Sequence, residues 1–155
     1  MKITDEELND LIDGKLDLTR VRELQSAPKE DQRRERMIAL YQQRVPFDDP
    51  ILLPLQENLF IVQAAEEKLV RCGVCGHDFG SYRRNWKDSA LVYERDPQDG
   101  EIYPPANAPS KEWMVAREFY CPGCATLLDT EGVPQGYPFI FNFLPYFQDE
   151  EDGRE

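Results

Sequence analysis

The sequence has little of what nucleic-acid-binding proteins and enzymes usually carry. It contains one histidine and only 18 lysine and arginine residues against 30 acidic ones, which gives a net charge of −12. Proteins that bind nucleic acids usually present a basic face, so this charge argues against such a ligand and favours a protein partner. The sequence has no glycine-rich phosphate loop, no G-x-S-x-G motif and no paired zinc-hydrolase histidines. We therefore predict no catalytic site on this chain.

Long apolar stretches are also missing. No run approaches the roughly 18 apolar residues that a membrane-spanning helix needs. Residues 1–7 are mostly polar and acidic, without the apolar core of a secretory signal. These absences predict a cytoplasmic protein that makes no membrane contact.

The four cysteines form two C-x-x-C motifs, which are Cys72 with Cys75 and Cys121 with Cys124. Two thiolates at this spacing reach one metal ion from a single tight turn, and two such turns complete a tetrahedral four-sulfur site. Without a secretory signal, this pattern fits a reducing cytosol better than two disulfides. We therefore predict a structural zinc site with Cys72, Cys75, Cys121 and Cys124 as its ligands.

Two alternatives remain open at this site. Iron in a rubredoxin-like electron carrier has the same four-sulfur ligation. A rubredoxin, however, is a much shorter chain, and its two C-x-x-C turns (knuckles) lie closer together in the sequence. His77, two residues after the first motif, can act as a metal ligand or a general base. We favour a third role, in which His77 hydrogen-bonds a knuckle backbone group or a cysteine sulfur from outside the coordination sphere. Five nearby charged residues are expected to be solvated loop charges: Asp78, Arg83, Arg84, Lys87 and Asp88.

Residues 1–45 have the pattern of a short helical arm. Thr4 and Glu7 form a capping box, and a second helix is expected to end before Pro28. A third helix is expected from about Lys29 to Arg44. Three prolines between residues 46 and 54 then favour extended chain, and we place the start of the zinc domain there.

Residues 46–148 have the pattern of a small antiparallel β domain. A hairpin is predicted from strands at 59–62 and 68–71, and the return strand leads into the first knuckle. Residues 79–86 are expected to be a loop or one helical turn. Further strands are predicted at 90–94, 112–120 and 126–129, so both knuckles lie at strand ends as in a zinc ribbon. The fold class expected is α+β, a helical arm followed by a zinc-ribbon-like domain.

The C-terminal segment is rich in aromatic residues and ends in acidic ones. Phe139, Phe141 and Phe143 alternate, so an extended chain would place them on one side. We expect them to cover the core of the zinc domain, and the alternative is an aromatic surface facing a partner. Residues 149–155 are expected to form an acidic tail.

Several stretches, in order along the chain, resemble one known family. They are residues 53–55, 59–63, 70–79, 85–87, 101–104, 117–124 and 137–138. Together they resemble the small gamma subunit of acetone carboxylase and the related zinc subunit of acetophenone carboxylase. The resemblance spans about residues 11–145.

The resemblance implies a non-catalytic zinc subunit of a biotin-independent, ATP-dependent ketone carboxylase. By position, Cys72, Cys75, Cys121 and Cys124 would be its zinc ligands. Larger hydantoinase-like subunits would hold ATP, a divalent metal and the ketone, in a hetero-oligomer. If the resemblance fails, a rubredoxin-like carrier or a zinc-ribbon interaction adaptor is the alternative.

Overall fold

The computed structural model describes residues 2–141 and 143–147. In this part of the chain, three helices precede seven antiparallel strands, which confirms the predicted α+β class. The predicted acidic tail at 149–155 lies outside the described residues. The helices are α1 Asp5–Ile12, α2 Leu18–Ser26 and α3 Arg33–Gln42, and the strands are β1 Ile51–Gln56, β2 Leu59–Ala64, β3 Glu67–Cys72, β4 Asp78–Ser81, β5 Leu91–Arg95, β6 Val115–Tyr120 and β7 Leu127–Val133.

The first helix begins at the predicted capping box. The Thr4 hydroxyl accepts a hydrogen bond from the Glu7 backbone N–H at 3.1 Å, and the Glu7 carboxylate accepts one from the Thr4 N–H at 2.9 Å. Both backbone donors would otherwise have no partner at the helix start. Gly14 follows the helix with φ of 67°, a left-handed conformation that glycine adopts without steric cost.

The third helix starts later than predicted, at Arg33 instead of Lys29. The Lys29 ammonium donates to the carbonyls of Gln25 at 3.0 Å and Ala27 at 2.9 Å, at the end of α2. A cation at a helix C-terminus satisfies carbonyls that have no partner within the helix. Lys29 therefore caps α2, and α3 begins only at Arg33.

The helical arm packs on the first strands of the β domain. Ile3, Leu8 and Leu24 form a small buried cluster within the arm. On α3, Ile38 and Tyr41 pack against a second cluster formed by Ile51, Phe60 and Val62 of β1 and β2. The division at residues 45–46 stays a prediction, although the contact shows that the arm lies against its own chain.

Strands β1 to β4 form one sheet in that order, which we call sheet A. The predicted hairpin is β2 and β3, joined by a two-residue turn in which Ala65 has φ of 52°. The expected loop at 79–86 is partly wrong, because Asp78–Ser81 pair with β3 as β4. This strand has only four residues and includes Gly80 at φ of 87°, so it lacks a strand-like sequence pattern. The extended chain expected around Pro54 forms β1, with two irregularities in its register.

Strands β5 to β7 form a second sheet in that order, sheet B. The strand predicted at 112–120 begins only at Val115, because the Trp113 and Met114 N–H groups donate to the Ser110 carbonyl in a turn. Between the two sheets lies the main core. It includes Leu59, Ile61, Val70 and Phe79 from sheet A and Phe119 and Leu128 from sheet B, with Trp86 and Tyr82 between them.

The C-terminal segment crosses this core without forming a strand. The Tyr137 carbonyl accepts a hydrogen bond from Arg117 at 2.8 Å, and the Phe139 carbonyl accepts one from Asn85 at 3.3 Å. Phe139 and Phe147 pack against the core, whereas Phe141 and Phe143 are 39% and 54% exposed. The three alternating phenylalanines therefore do not share one environment, because this segment is irregular.

No helix in the described part of the chain is long and apolar enough to cross a membrane.

Candidate metal centre

Each C-x-x-C knuckle connects two neighbouring strands of one sheet. The first joins β3 to β4 in sheet A, and the second joins β6 to β7 in sheet B. Cys72 is the last residue of β3, and Cys121 follows directly after β6. The two sheets therefore each contribute one pair of sulfurs at their facing ends.

The two knuckles share the same backbone hydrogen bonds. In the first, the Cys72 N–H donates to the His77 carbonyl at 2.9 Å, and the Gly76 N–H donates to the Cys72 carbonyl at 2.9 Å. In the second, the Cys121 N–H donates to the Thr126 carbonyl and the Ala125 N–H donates to the Cys121 carbonyl, at 2.9 and 2.8 Å. This closed turn lets backbone N–H groups point at sulfur, as the Gly123 N–H does towards Cys121 Sγ at 3.4 Å.

The residue after each second cysteine has a positive φ. It is Gly76 at 74° in the first knuckle and Ala125 at 57° in the second. Gly123, between Cys121 and Cys124, does not have a positive φ, and it is small for another reason. A Cβ there would lie 3.0 Å from Cys75 Sγ and 3.2 Å from His77 Cβ, so the second knuckle approaches the first through this glycine.

The four cysteine sulfurs converge on one point. All four lie within 4.8 Å of one another, and all four cysteines are free thiols. Cys72 Sγ is 3.8 Å from Cys124 Sγ, and Cys75 Sγ is 3.6 Å from Cys121 Sγ. A tetrahedral site with metal–sulfur bonds of about 2.3 Å has sulfur–sulfur edges of about 3.8 Å. These two sulfur–sulfur distances match that edge, so this donor set fits a tetrahedral metal ion.

The environment of the sulfurs differs between the first and second cysteine of each knuckle. Cys72 and Cys121 are fully buried, whereas Cys75 and Cys124 lie towards solvent. Burial raises the pKa of the Cys72 thiol to about 12, while hydrogen bonds from the Thr126 hydroxyl and backbone lower the pKa of Cys124 to about 6. Burial also raises the pKa of Cys75. Buried thiolates need a nearby cation, and a bound metal ion supplies one.

His77 does not join the sulfur cluster among the described residues. Its ring meets Phe79 edge-on, with centroids 5.0 Å apart. Its backbone carbonyl closes the first knuckle, and its backbone N–H donates to the Cys75 sulfur. Thr126 occupies the equivalent position in the second knuckle and uses the same backbone groups. The hydrogen bonds of His77 with the first knuckle are thus made by its main chain, while its side chain lies beside Gly123 of the second knuckle.

The charged residues near the first knuckle are mostly solvated, as predicted. Asp78, Arg83, Arg84 and Asp88 are exposed. Lys87 is the exception, since it is only 4% exposed. Its ammonium lies 2.9 Å from the Asp129 carboxylate and 3.0 Å from that of Glu131, and 4.6 Å from the Phe119 ring centre.

A second buried cation, Arg117, shares the Glu131 carboxylate with Lys87. Arg117 is 1% exposed and pairs with Glu131 at 3.0 Å and Glu94 at 3.2 Å. For Lys87, burial acts to lower the pKa, but hydrogen bonds to Asp129 and Glu131 outweigh it and raise the pKa. No local sequence pattern indicates this network, because Asp129 and Glu131 lie on β7, more than 40 residues from Lys87. Through Arg117, which donates to the Tyr137 carbonyl, the network holds the C-terminal segment beside β6.

The family is decided by comparison with known proteins. The family model described as "Acetone carboxylase gamma subunit" matches residues 45–149. The chain belongs to the acetone carboxylase gamma subunit family. One relative, the acetone carboxylase gamma subunit of Xanthobacter autotrophicus, is 45% identical over 149 residues, covering 94% of this chain and 88% of that protein.

A second relative matches a shorter region. The acetophenone carboxylase beta subunit of Aromatoleum aromaticum is 40% identical over 73 residues, which cover 43% of this chain and 55% of that protein. Membership of the acetone carboxylase gamma subunit family confirms the resemblance noted from the sequence motifs, and all four cysteines lie within the region matched by the family model.

Proposed function

We propose that this chain is a non-catalytic zinc subunit of a biotin-independent, ATP-dependent ketone carboxylase, in which it stabilises larger catalytic subunits. The observation that carries the proposal is the four-sulfur cluster in a chain of the acetone carboxylase gamma subunit family. Four thiolates fill the tetrahedral coordination sphere of zinc and leave no position for water or substrate. Such a site supports folding and does not take part in the reaction.

The proposed partners are larger hydantoinase-like subunits that bind ATP, a divalent metal and the ketone. The relatives' names, gamma subunit and beta subunit, support an assembly of several chains. We favour acetone over acetophenone as the type of substrate, because the acetone carboxylase relative matches 94% of this chain and the acetophenone carboxylase relative matches 43%.

The proposed ligands are Cys72, Cys75, Cys121 and Cys124. His77 is proposed to support the first knuckle from outside the coordination sphere, with its backbone groups on Cys72 and Cys75. In this proposal, the cysteines tie sheet A to sheet B and so fix the surface that the partners recognise.

Metal analysis and reconstitution test the proposal. The purified chain should be colourless, contain one zinc ion and hydrolyse no ATP, whereas ketone-dependent ATP hydrolysis should appear when it is co-expressed with the large subunits. A red iron protein with a reversible reduction potential would instead establish the rubredoxin-like alternative. Cys121→Ser with Cys124→Ser should lose the zinc and lower the yield of assembled carboxylase.

A further inference from the structure

The two sheets expose four edge strands, which are β1 and β4 in sheet A and β5 and β7 in sheet B. An edge strand carries backbone N–H and C=O groups that can pair with another chain, and proteins usually protect such edges. Three of these edges have such protection, and β5 does not.

The protected edges use different means. In β1, Pro54 has no N–H, the Leu52 carbonyl accepts from Arg34 at 3.1 Å, and the register is twice irregular. β4 has four residues and is bent at Gly80, whose φ is 87°. In β7, the segment 129–132 is Asp-Thr-Glu-Gly, which is a poor template for strand addition.

β5 presents three consecutive large apolar residues to solvent. Leu91 is 55% exposed, Val92 38% and Tyr93 52%. Leu91 and Tyr93 lie on the outer face of sheet B, opposite Tyr120 and Glu118, while Val92 lies on the core side opposite Phe119. Both faces of this edge therefore end in an apolar side chain that no neighbouring strand covers.

The charges at the end of β5 are neutralised within the chain. Glu94 pairs with Arg117 at 3.2 Å, and Arg95 pairs with Glu118 at 2.7 Å. An incoming strand thus meets no unpaired charge on β5. In the described part of the chain, backbone pairing joins β5 to β6 only, so alternate residues of β5 direct their N–H and C=O groups outward.

We propose that β5 is the docking edge for an extended segment of a different polypeptide, which adds as a fourth strand to sheet B. The outward backbone groups specify an extended chain, and Leu91, Val92 and Tyr93 specify consecutive apolar residues on it, so that both of its faces meet an apolar side chain of β5. This inference rests on the proposed function, because the partner is taken to be one of the larger carboxylase subunits.

Other occupants fit less well. Residues 148–155 contain no large apolar residue and five acidic ones, so they do not match the apolar edge. A second copy of this chain would bring another charge of −12 against the first.

The edge also starts at the metal centre, since Leu91 lies opposite Tyr120, which directly precedes Cys121. The second knuckle thus fixes where the docking edge begins.

The test uses the full chain co-expressed with the large carboxylase subunits encoded in the same genome. Among the backbone amides of residues 91–93, those that face away from β6 should exchange with solvent about tenfold more slowly in the complex than in the isolated chain. Leu91→Lys with Tyr93→Lys should lower the affinity for the large subunits about tenfold, because lysine on an edge strand opposes strand addition. Zinc content and circular dichroism verify that the variant folds. If the double variant does not fold, the affinity of Leu91→Lys alone is measured instead.

Leu127→Lys is the matched control. Leu127 lies on the same face and in the same cross-strand row as Leu91, opposite Tyr120 from the other side, and is 45% exposed. This variant should assemble as the wild type does. Unchanged exchange at 91–93, or normal assembly of the Leu91 and Tyr93 variants, would overturn the docking edge while leaving the proposed function intact.

Two further outcomes separate the proposals. If the wild-type chain recovers no large subunit at all, the proposed function fails and the docking edge fails with it. If sedimentation shows that the isolated chain is a dimer, and Leu91→Lys makes it monomeric, the occupant is a second copy and the assignment to a different polypeptide is wrong.

Discussion

At the scale of single residues, the two knuckles differ at one equivalent backbone position. Gly76 and Ala125 both follow the second cysteine and both have positive φ, but only Gly76 lacks a Cβ. A side chain in the left-handed region costs about 1–2 kcal/mol, because the Cβ approaches a backbone oxygen. The second knuckle thus carries strain that the first avoids.

Two opposite substitutions, one at each position, measure this strain. Ala125→Gly should stabilise the metal-loaded protein by about 0.5–1 kcal/mol, because the strain relieved exceeds the added entropy of the unfolded chain. Gly76→Ala should destabilise it by about 1 kcal/mol. A Cβ at Gly76 would lie 3.7 Å from the nearest atom, on Phe47, so crowding adds nothing. Urea unfolding at a fixed zinc concentration gives both values, and a shift of the same sign in both variants would refute the explanation.

At the scale of elements, α1 depends on carboxylate charge at its start. The Arg20 guanidinium and the Thr4 backbone N–H both hydrogen-bond Glu7 and hold its pKa below the ordinary value of 4.5. A carboxyl with a lowered pKa stabilises the fold at pH values above its unfolded pKa, and this contribution is lost as pH falls through its folded pKa.

The effect of Glu7→Gln on the stability of the protein should therefore depend on pH. Glu7→Gln should be less stable than the wild type at pH 7, and the difference should shrink as the pH falls below about 4.5. Urea midpoints at pH 7, 5 and 3 provide the comparison, and acid loss of metal affects both proteins alike. Glu6→Gln removes a carboxylate from the same helical turn and serves as the control. A difference in stability that stays constant with pH would contradict a stabilising role for the Glu7 carboxylate charge.

The sequence was most informative where structure depends on neighbouring residues. The Thr4 capping box, the β2–β3 hairpin and the two cysteine motifs are all readable within a few positions. Prediction from the sequence failed where a residue's partners lie on another strand that no local pattern identifies. β4 has one large apolar residue, Phe79, and becomes a strand because β3 lies beside it. Lys87 is buried only because β7 places Asp129 and Glu131 next to it, which no local pattern indicates.

At the scale of the whole molecule, the cysteine cluster joins two sheets that are otherwise separately hydrogen-bonded. Sheet A is also supported by α3, through Ile38 and Tyr41 against Phe60 and Val62. Sheet B has three strands and rests on the shared core, the C-terminal segment and the cysteine cluster. The loss of metal should therefore affect the two sheets unequally.

Metal removal should loosen sheet B more than the β2–β3 hairpin. A four-sulfur zinc site contributes several kcal/mol of folding free energy, and that contribution is lost on chelation. After chelation, we expect faster amide exchange throughout β6 and β7, with residues 60–62 of β2 remaining better protected. Restoring zinc should restore the protection. An equal loss of protection in β2 and β6 would show that the sheets do not respond separately.

The position of the knuckles in the two sheets also sets an order of assembly during synthesis. Cys72 is made 49 residues before Cys121. At about 5–20 residues per second, about 2 to 10 seconds separate the two on the ribosome. During that interval the nascent chain can complete its β2–β3 hairpin, but it holds only half of a coordination sphere, with two thiols open to oxidants and to other metals. The pace of translation through β5 and β6 therefore decides how long the chain waits before its sheets are joined.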